Sequence, residues 1–226
     1  VEQHFEILYE DNHLLAVNKP SGVLVQPDKS GEDALEQLLK LYIKEKHNKP
    51  GEVFLGVCHR IDRPVSGVVV FAKTSKALVR MNEMFKTKEV QKTYLAVVQE
   101  APAETQAHLT HWMKKDERKN ISRAYNEQIQ GALKSELDYI VIKSIDRYHL
   151  LEVNPHTGRH HQIRAQLSKI GSPIKGDIKY GSKRTNKDGS IHLHAHKISF
   201  VHPVKKERIE IVAPVPNETV WKAFGV

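Results

Sequence analysis

The chain has one cysteine, Cys58, among 226 residues. A single thiol excludes an internal disulfide framework and any metal cluster built from several cysteines. Cys58 ends the stretch Phe54-Leu55-Gly56-Val57-Cys58, where a small buried core residue is the expected role. No apolar run approaches the roughly 20 residues a membrane-spanning helix needs. No signal peptide opens the sequence. A reducing, cytoplasmic setting with no membrane partner is therefore expected. The phosphate-loop pattern G-x-x-x-x-G-K-S/T and the dinucleotide pattern G-x-G-x-x-G are both missing, which leaves a nucleotide cofactor unsupported. The G-x-S-x-G elbow of many hydrolases is missing too. There is no internal repeat, low-complexity tract or clear linker, so residues 1–226 are expected to form one domain.

Acidic residues are also in deficit, 27 against 35 Lys and Arg, for a net charge of +8 with His neutral. The basic residues are spread along the whole length rather than gathered in a tail. A basic surface of this kind favours a polyanion, nucleic acid first. The hydrophobic fraction of 39% suits a globular protein with a sizeable core.

Residues 32–46 give the clearest helix: Leu35, Leu38, Leu39, Tyr42 and Ile43 make one apolar stripe. Thr74 or Ser75 is placed to cap a second helix over 76–87, and 217–224 reads as a short terminal one. Strands are expected at 5–9, 14–18, 23–25, 68–73, 91–99, 107–113, 121–126, 134–144, 147–154, 191–196 and 207–213. Few helices and strands in runs argue for an α+β fold with an antiparallel or mixed sheet, and against a parallel βαβ arrangement. Residues 182–190, polar and without periodicity, read as a mobile loop.

Two stretches stand out. His59-Arg60-Ile61-Asp62-Arg63-Pro64-Val65-Ser66-Gly67 sets one carboxylate between two arginines. Nearby positive charge favours the ionised form of Asp62. Its role is open at this level: nucleophile, electrostatic stabiliser or ion-pair partner. The second stretch is Asn154-Pro155-His156-Thr157-Gly158-Arg159-His160-His161-Gln162-Ile163-Arg164. The periodicity predicts a helix over 159–169 whose first turn carries Arg159, His160 and His161. That sign suits a bound anion rather than the helix dipole. Arg164 falls near the inward stripe and needs a partner, because charges are rarely buried alone.

His192, His194 and His196 alternate on one strand and raise the question of a metal. They are expected instead to form the polar face of that strand, since no clear carboxylate ligand accompanies them. A carboxylate among basic groups, the strand tyrosine Tyr94 and an inward arginine suit chemistry at a sugar carbon of a polyanion. The residues alone reach a nucleic-acid enzyme centred on Asp62 and do not name its reaction. A non-catalytic RNA-binding protein and a metal-dependent hydrolase are the competing readings.

Five blocks, taken together, resemble the RluA-type branch of the pseudouridine synthases. They are Lys19-Pro20-Ser21-Gly22; His59 to Arg63 with Ser66-Gly67 and Phe71-Ala72-Lys73-Thr74; Lys92-Thr93-Tyr94-Leu95-Ala96; Thr157 to Arg164; and Gly171 through Asp177 with Tyr180-Gly181. They run in order over about residues 7 to 215. The resemblance implies isomerisation of uridine to pseudouridine in structured RNA, ribosomal or transfer, without cofactor or metal. It implies a single α+β catalytic domain with a mixed, mostly antiparallel central sheet, flanking helices and an RNA cleft. It also implies that Asp62 is the catalytic carboxylate, that Tyr94 stacks on the uracil and assists proton removal from C5, and that Arg164 pairs with Asp62. Flipping of the target base would leave Arg60, Arg63, Lys92, Arg159, His160 and His161 to hold flanking RNA. A monomer is expected. The sequence departs from the family at Val65, where Thr is common, and at Ala165-Gln166, where Val-His is usual. It shows no S4-like RNA-binding segment before the first block, so substrate choice is expected to come from this domain or from residues preceding Val1.

Overall fold

The apolar run at 68–72 becomes the most deeply buried strand of the protein. A computed structural model describes residues 5–29 and 31–226. They group into two units, one holding the chain up to Gln91 with Ala195–Pro216, the other Lys92–His194 with Asn217–Val226. Two of the three crossings of this boundary fall inside strands, β5 (Gln91–Val98) and β10 (Leu193–Val201), and the third lies between Pro216 and Asn217. The architecture is α+β, as its strand-rich sequence predicts.

In the first unit, β1 (Glu6–Glu10) pairs antiparallel with β2 (Leu14–Lys19), and β2 with β4 (Ser66–Ala72). The short β3 (Gly56–Val57) also pairs with β4. Every residue of β4 is buried, which is why its sequence is continuously apolar rather than alternating. β4 lies beside β10, which pairs in turn with β11 (Arg208–Val212). Gly67 has φ +119°, and a Cβ there would stand 2.3 Å from the Ala195 carbonyl oxygen, so only glycine fits that approach.

Helix α1 (Leu35–Lys46) buries Leu35, Leu39 and Ile43 from the predicted stripe. Each contributes about 1.5–3 kcal/mol of apolar burial. The helix begins three residues later than expected, because Ala34 is its N-cap and the Gln37 side chain accepts from the Ala34 N–H at 3.0 Å. Residues 23–25 are not a strand. The Leu24 and Val25 carbonyls instead accept from Leu35 and Glu36, the first N–H groups of α1. Helix α2 (Ser75–Lys86) is capped as predicted, with Thr74 Oγ1 accepting from Ala77 at 3.2 Å.

The second unit is an antiparallel sheet in the order β5, β9 (Tyr148–Pro155), β8 (Leu133–Ile145), β6 (Gln106–Asp116), β7 (Ile121–Tyr125). Helix α3 (Gln162–Lys169) packs on it through Ala165, with Met113 and Tyr180. The terminal helix α4 (Thr219–Phe224) buries Trp221 and Phe224, as its sequence suggests. Residues 182–190 lack repeating structure but are organised around Asn186. Its Oδ1 accepts from Lys175 Nζ at 2.6 Å and its Nδ2 donates to the Ser190 carbonyl at 2.9 Å.

Candidate active site

Asp62 lies in the loop between β3 and β4, half-buried, between the buried side chains Ile61 and Val65. Those two apolar anchors fix the loop, and the Asp62 carbonyl accepts from the Val65 N–H at 3.0 Å to close a turn. The loop is locked to the Lys19-Pro20-Ser21-Gly22 turn. Gly22 N donates to the Arg63 carbonyl at 2.8 Å, and Arg63 Nε donates back to the Gly22 carbonyl at 2.9 Å. Arg63 also reaches Glu32, with Nη2 to Oε2 at 2.6 Å. That exposed guanidinium is thus engaged in holding the loop, whereas Arg60 is exposed beside it. His59 faces inward: its Nε2 accepts from the Val70 N–H at 3.0 Å and its ring lies 4.9 Å from Phe85.

Under this loop lies Lys19, fully buried at the end of β2. Its ammonium donates to the carbonyls of Pro20 and Val23 at 2.8 Å and of Arg63 at 3.2 Å. Burial pulls its pKa down to about 7, Asp62 opposing the fall and Arg63 adding to it. The block containing Lys19 was legible in the sequence, but its lysine was not among the residues assigned a role. The available signal was a lysine on the strand that carries the apolar run Leu14–Val17, two residues after it and directly before Pro20.

The second unit carries the other sequence-selected residues. Tyr94 is half-buried on β5, opposite Val153 of β9. Its neighbour Thr93 donates to Asn154 Oδ1 at 2.8 Å. Burial lowers the pKa of the Lys92 ammonium, which lies over Gly158, where a Cβ would be 3.5 Å from Nζ.

Helix α3 starts at Gln162, not at 159. His161 is its N-cap in the left-handed conformation, φ +53°. Gln162 closes the preceding turn, its Oε1 accepting from Thr157 Oγ1 at 2.7 Å and from the Arg159 N–H at 3.0 Å. Arg159, His160 and His161 therefore precede the helix rather than forming its first turn, and the dipole argument for an anion there no longer applies. Arg159 is exposed. His160 bonds Ser122 Oγ through Nδ1 at 2.9 Å and stacks on His161 with ring centroids 3.7 Å apart.

His161 is buried, with its Nδ1 2.8 Å from the Tyr180 hydroxyl. That hydroxyl also accepts from the Ser122 N–H at 2.7 Å, tying the ring to β7. Burial first, and then the Arg164 charge, hold the His161 pKa down at about 2. A ring so buried and neutral offers no positive charge to a phosphate.

Arg164 is buried, as the stripe predicts, and it has an acid partner that the sequence reading did not name. Its Nε and Nη2 donate to the two oxygens of Asp177 at 2.6 and 2.9 Å. The guanidinium also stands 5.0 Å above the Tyr180 ring. Asp177 comes from the turn after α3, which the sequence flags as Gly171 through Asp177. A paired fork of this kind fixes the plane of the guanidinium as well as its charge.

The histidines of 192–196 are not an exposed polar face. His192 and His194 are buried against Trp221, at 5.4 and 6.1 Å between ring centroids. His192 bonds Glu218 at 2.9 Å and Asn186 at 3.0 Å, and His196 Nδ1 lies 3.1 Å from the Ala213 carbonyl. Among the described residues, the one group spaced to hold a metal is elsewhere, His108 with Asp138 and His156.

Comparison with known proteins adds an independent observation. Residues 13–169 match the family described as RNA pseudouridylate synthase. The chain is 34% identical to tRNA pseudouridine synthase C of Pasteurella multocida, over 94% of this chain and 92% of that protein. It is 35% identical to ribosomal large subunit pseudouridine synthase C of Buchnera aphidicola, over 92% of this chain and 67% of that one. Among solved structures it resembles human RNA pseudouridylate synthase domain containing 4, with TM-score 0.77, 25% identity and coverage of 94% and 89% of the two chains.

Proposed function

The chain belongs to the RNA pseudouridylate synthase family, and from that premise we propose that Asp62, Tyr94 and Arg164 act together on one uridine of a structured RNA. The reaction exchanges one glycosidic bond for another. The N1–C1′ bond breaks, the uracil turns, a C5–C1′ bond forms, and the C5 proton leaves as N1 gains one. No atom enters or departs overall, so the enzyme needs charge placement and confinement rather than a consumed co-reactant.

Asp62 is the carboxylate that engages the nucleotide while the base is detached. The observation that carries this is the way its loop is held: two apolar anchors and a double hydrogen-bond lock to Gly22 leave the carboxylate half-exposed on a fixed backbone. Tyr94 stacks on the uracil and assists removal of the C5 proton. Arg164, oriented by Asp177, supports the charge of Asp62. Reaching a paired uridine requires flipping it from its stack. Arg60, Lys92, Arg159 and His160 hold the flanking RNA, with Arg63 contributing where its contact to Glu32 yields to phosphate. His161 serves by positioning Tyr180.

The RNA is ribosomal or transfer RNA. That choice of substrates is supported by the names of the relatives and by the net charge of +8. The whole chain acts as one catalytic domain, which two passages of the backbone between units within strands support. It acts as a cytoplasmic monomer; no helix among the described residues is long and apolar enough to cross a membrane. The test is pseudouridine mapping of total RNA from a deletion strain complemented with wild type or Asp62→Asn. One or more uridines should regain modification only with wild type. Equal modification by both proteins removes Asp62 from its role. RNA binding without any modified uridine in either arm replaces the enzyme with a binding protein.

A further inference from the structure

On the sheet of the second unit, three potential ligands converge from three adjacent segments. His108 on β6 and Asp138 on β8 are direct cross-strand partners, so their side chains share one face. His156 follows β9, whose Asn154 pairs with Asp138 on the other side, and it returns to the same face. The contacts are His108 Nδ1 to Asp138 Oδ1 and His156 Nε2 to Asp138 Oδ2, both 2.6 Å. One ligand atom from each of the three residues lies within 4.8 Å of the other two. Both histidines are exposed and Asp138 is partly so, so an ion reaches them directly from solvent.

We propose that His108, Asp138 and His156 bind a borderline divalent cation of the Zn²⁺ type, which braces the turn entering α3. Two imidazole nitrogens and one carboxylate are the donors such a cation prefers, with the remaining position left to water. Admitting the ion asks the two 2.6 Å contacts to open by about 1 Å on a rigid sheet, given tetrahedral metal–ligand bonds of about 2.0–2.2 Å. The surrounding residues supply the proton accounting. To ligate through Nδ1, His108 must carry its proton on Nε2, and the Glu136 carboxylate, 3.7 Å from that nitrogen, favours the proton there electrostatically. Glu136 is itself held by Lys134 at 2.7 Å. A carboxylate behind a ligating histidine fixes its tautomer and raises its basicity.

The bracing follows from what β8 holds. The Glu136 carbonyl accepts from the His156 N–H at 2.9 Å and from Gln162 Nε2 at 3.1 Å, while Thr157 Oγ1 accepts the Glu136 N–H at 2.9 Å. A cation joining His156 to β6 and β8 would therefore stiffen the segment from His156 to Gln162, which carries Arg159. This role is structural and separate from the isomerisation.

The experiment uses the full chain without a histidine tag. Zn²⁺ is titrated calorimetrically, and amide hydrogen exchange is followed with and without it. One equivalent should bind, exchange across residues 156–162 should slow, and excess Mg²⁺ should not compete. His156→Ala and His108→Gln should each weaken binding by about 100-fold or more, since even outer-shell changes cost 10–100-fold. His47→Ala, an exposed histidine in the other unit, should bind as wild type does. Circular dichroism confirms that each variant is folded, and both ligand positions are exposed. Absence of saturable Zn²⁺ uptake, equal uptake by both ligand variants, or unchanged exchange at 156–162 overturns the proposal. None of these results bears on the Asp62 test.

Discussion

Among the described residues Lys19 is buried in one unit and Arg164 in the other, and they are held by opposite means. Lys19 is met by three neutral carbonyl dipoles, and burial outweighs what they and Asp62 return, so its pKa falls to about 7. Arg164 is met by a carboxylate in a two-point fork and by an aromatic face. A lysine surrounded by dipoles becomes a group that titrates near neutrality. An arginine in a fork stays charged, since the guanidinium does not deprotonate in proteins. The same requirement, a positive charge beneath a loop, thus gives a variable charge in one unit and a constant one in the other.

The largest effect expected from breaking this contrast is at Asp177. Asp177→Ala removes the two-point carboxylate fork from the buried Arg164 and should cost about 3–5 kcal/mol in urea unfolding. A loss below 1 kcal/mol would show that Asp177 is not its main support. Arg164→Met should abolish most pseudouridine formation, while Lys187→Ala, at an exposed loop position, should change activity little and stability by less than about 0.5 kcal/mol. Comparable activities for the two would end the proposed role of Arg164.

Next in size is Tyr180→Phe, which strips partners from the Ser122 N–H and His161 Nδ1 and should cost about 1–3 kcal/mol. The pH dependence has a definite sign. His161 has a folded pKa of about 2 against an ordinary 6.5, so the unfolded chain binds the extra proton. Its contribution to stability is complete above pH 6.5 and is lost as pH falls towards 2. Because burial and the Arg164 charge set that shift, this acid-side slope should persist in Tyr180→Phe.

Smallest, and most specific to the contrast, is the Lys19 titration. Its folded pKa of about 7 lies below the ordinary 10.5, so between those values the unfolded chain binds more protons. The stability of wild type relative to Lys19→Met should be level below pH 7 and rise from there towards pH 10.5. Side-chain ¹⁵N NMR should place the Lys19 midpoint near 7. A midpoint near 10 would mean that the three carbonyls and Asp62 compensate burial fully.

Local pattern carried far in this sequence, and its failures share a cause. The α1 stripe, the Thr74 cap, the continuous β4 run and the inward Arg164 are decided by neighbours within one turn or one strand, and each is found as read. What was missed depends on distant partners. Asp177 is 13 residues from Arg164, and Lys19 is 44 from Arg63. Residues 23–25 have strand composition, but their carbonyls are claimed by α1. The alternation at 191–196 correctly separates two faces, yet Trp221 from the far end of the chain covers the one with the histidines. The α3 start was misplaced because a left-handed His161 carries no mark in composition. The five motif blocks pointed to the candidate site, and the partners of its charges became visible only in three dimensions.

The stacked pair His160–His161 has one further consequence. Burial and the nearby Arg164 charge keep the His161 ring uncharged through the whole range over which a cell's interior acidifies or recovers. Arg164 accordingly works in a field that does not drift with the medium. Lys19, beneath the Asp62 loop, is by contrast a buried charge that changes near neutrality, so the first unit carries an adjustable electrode where Arg164 of the second is a fixed one.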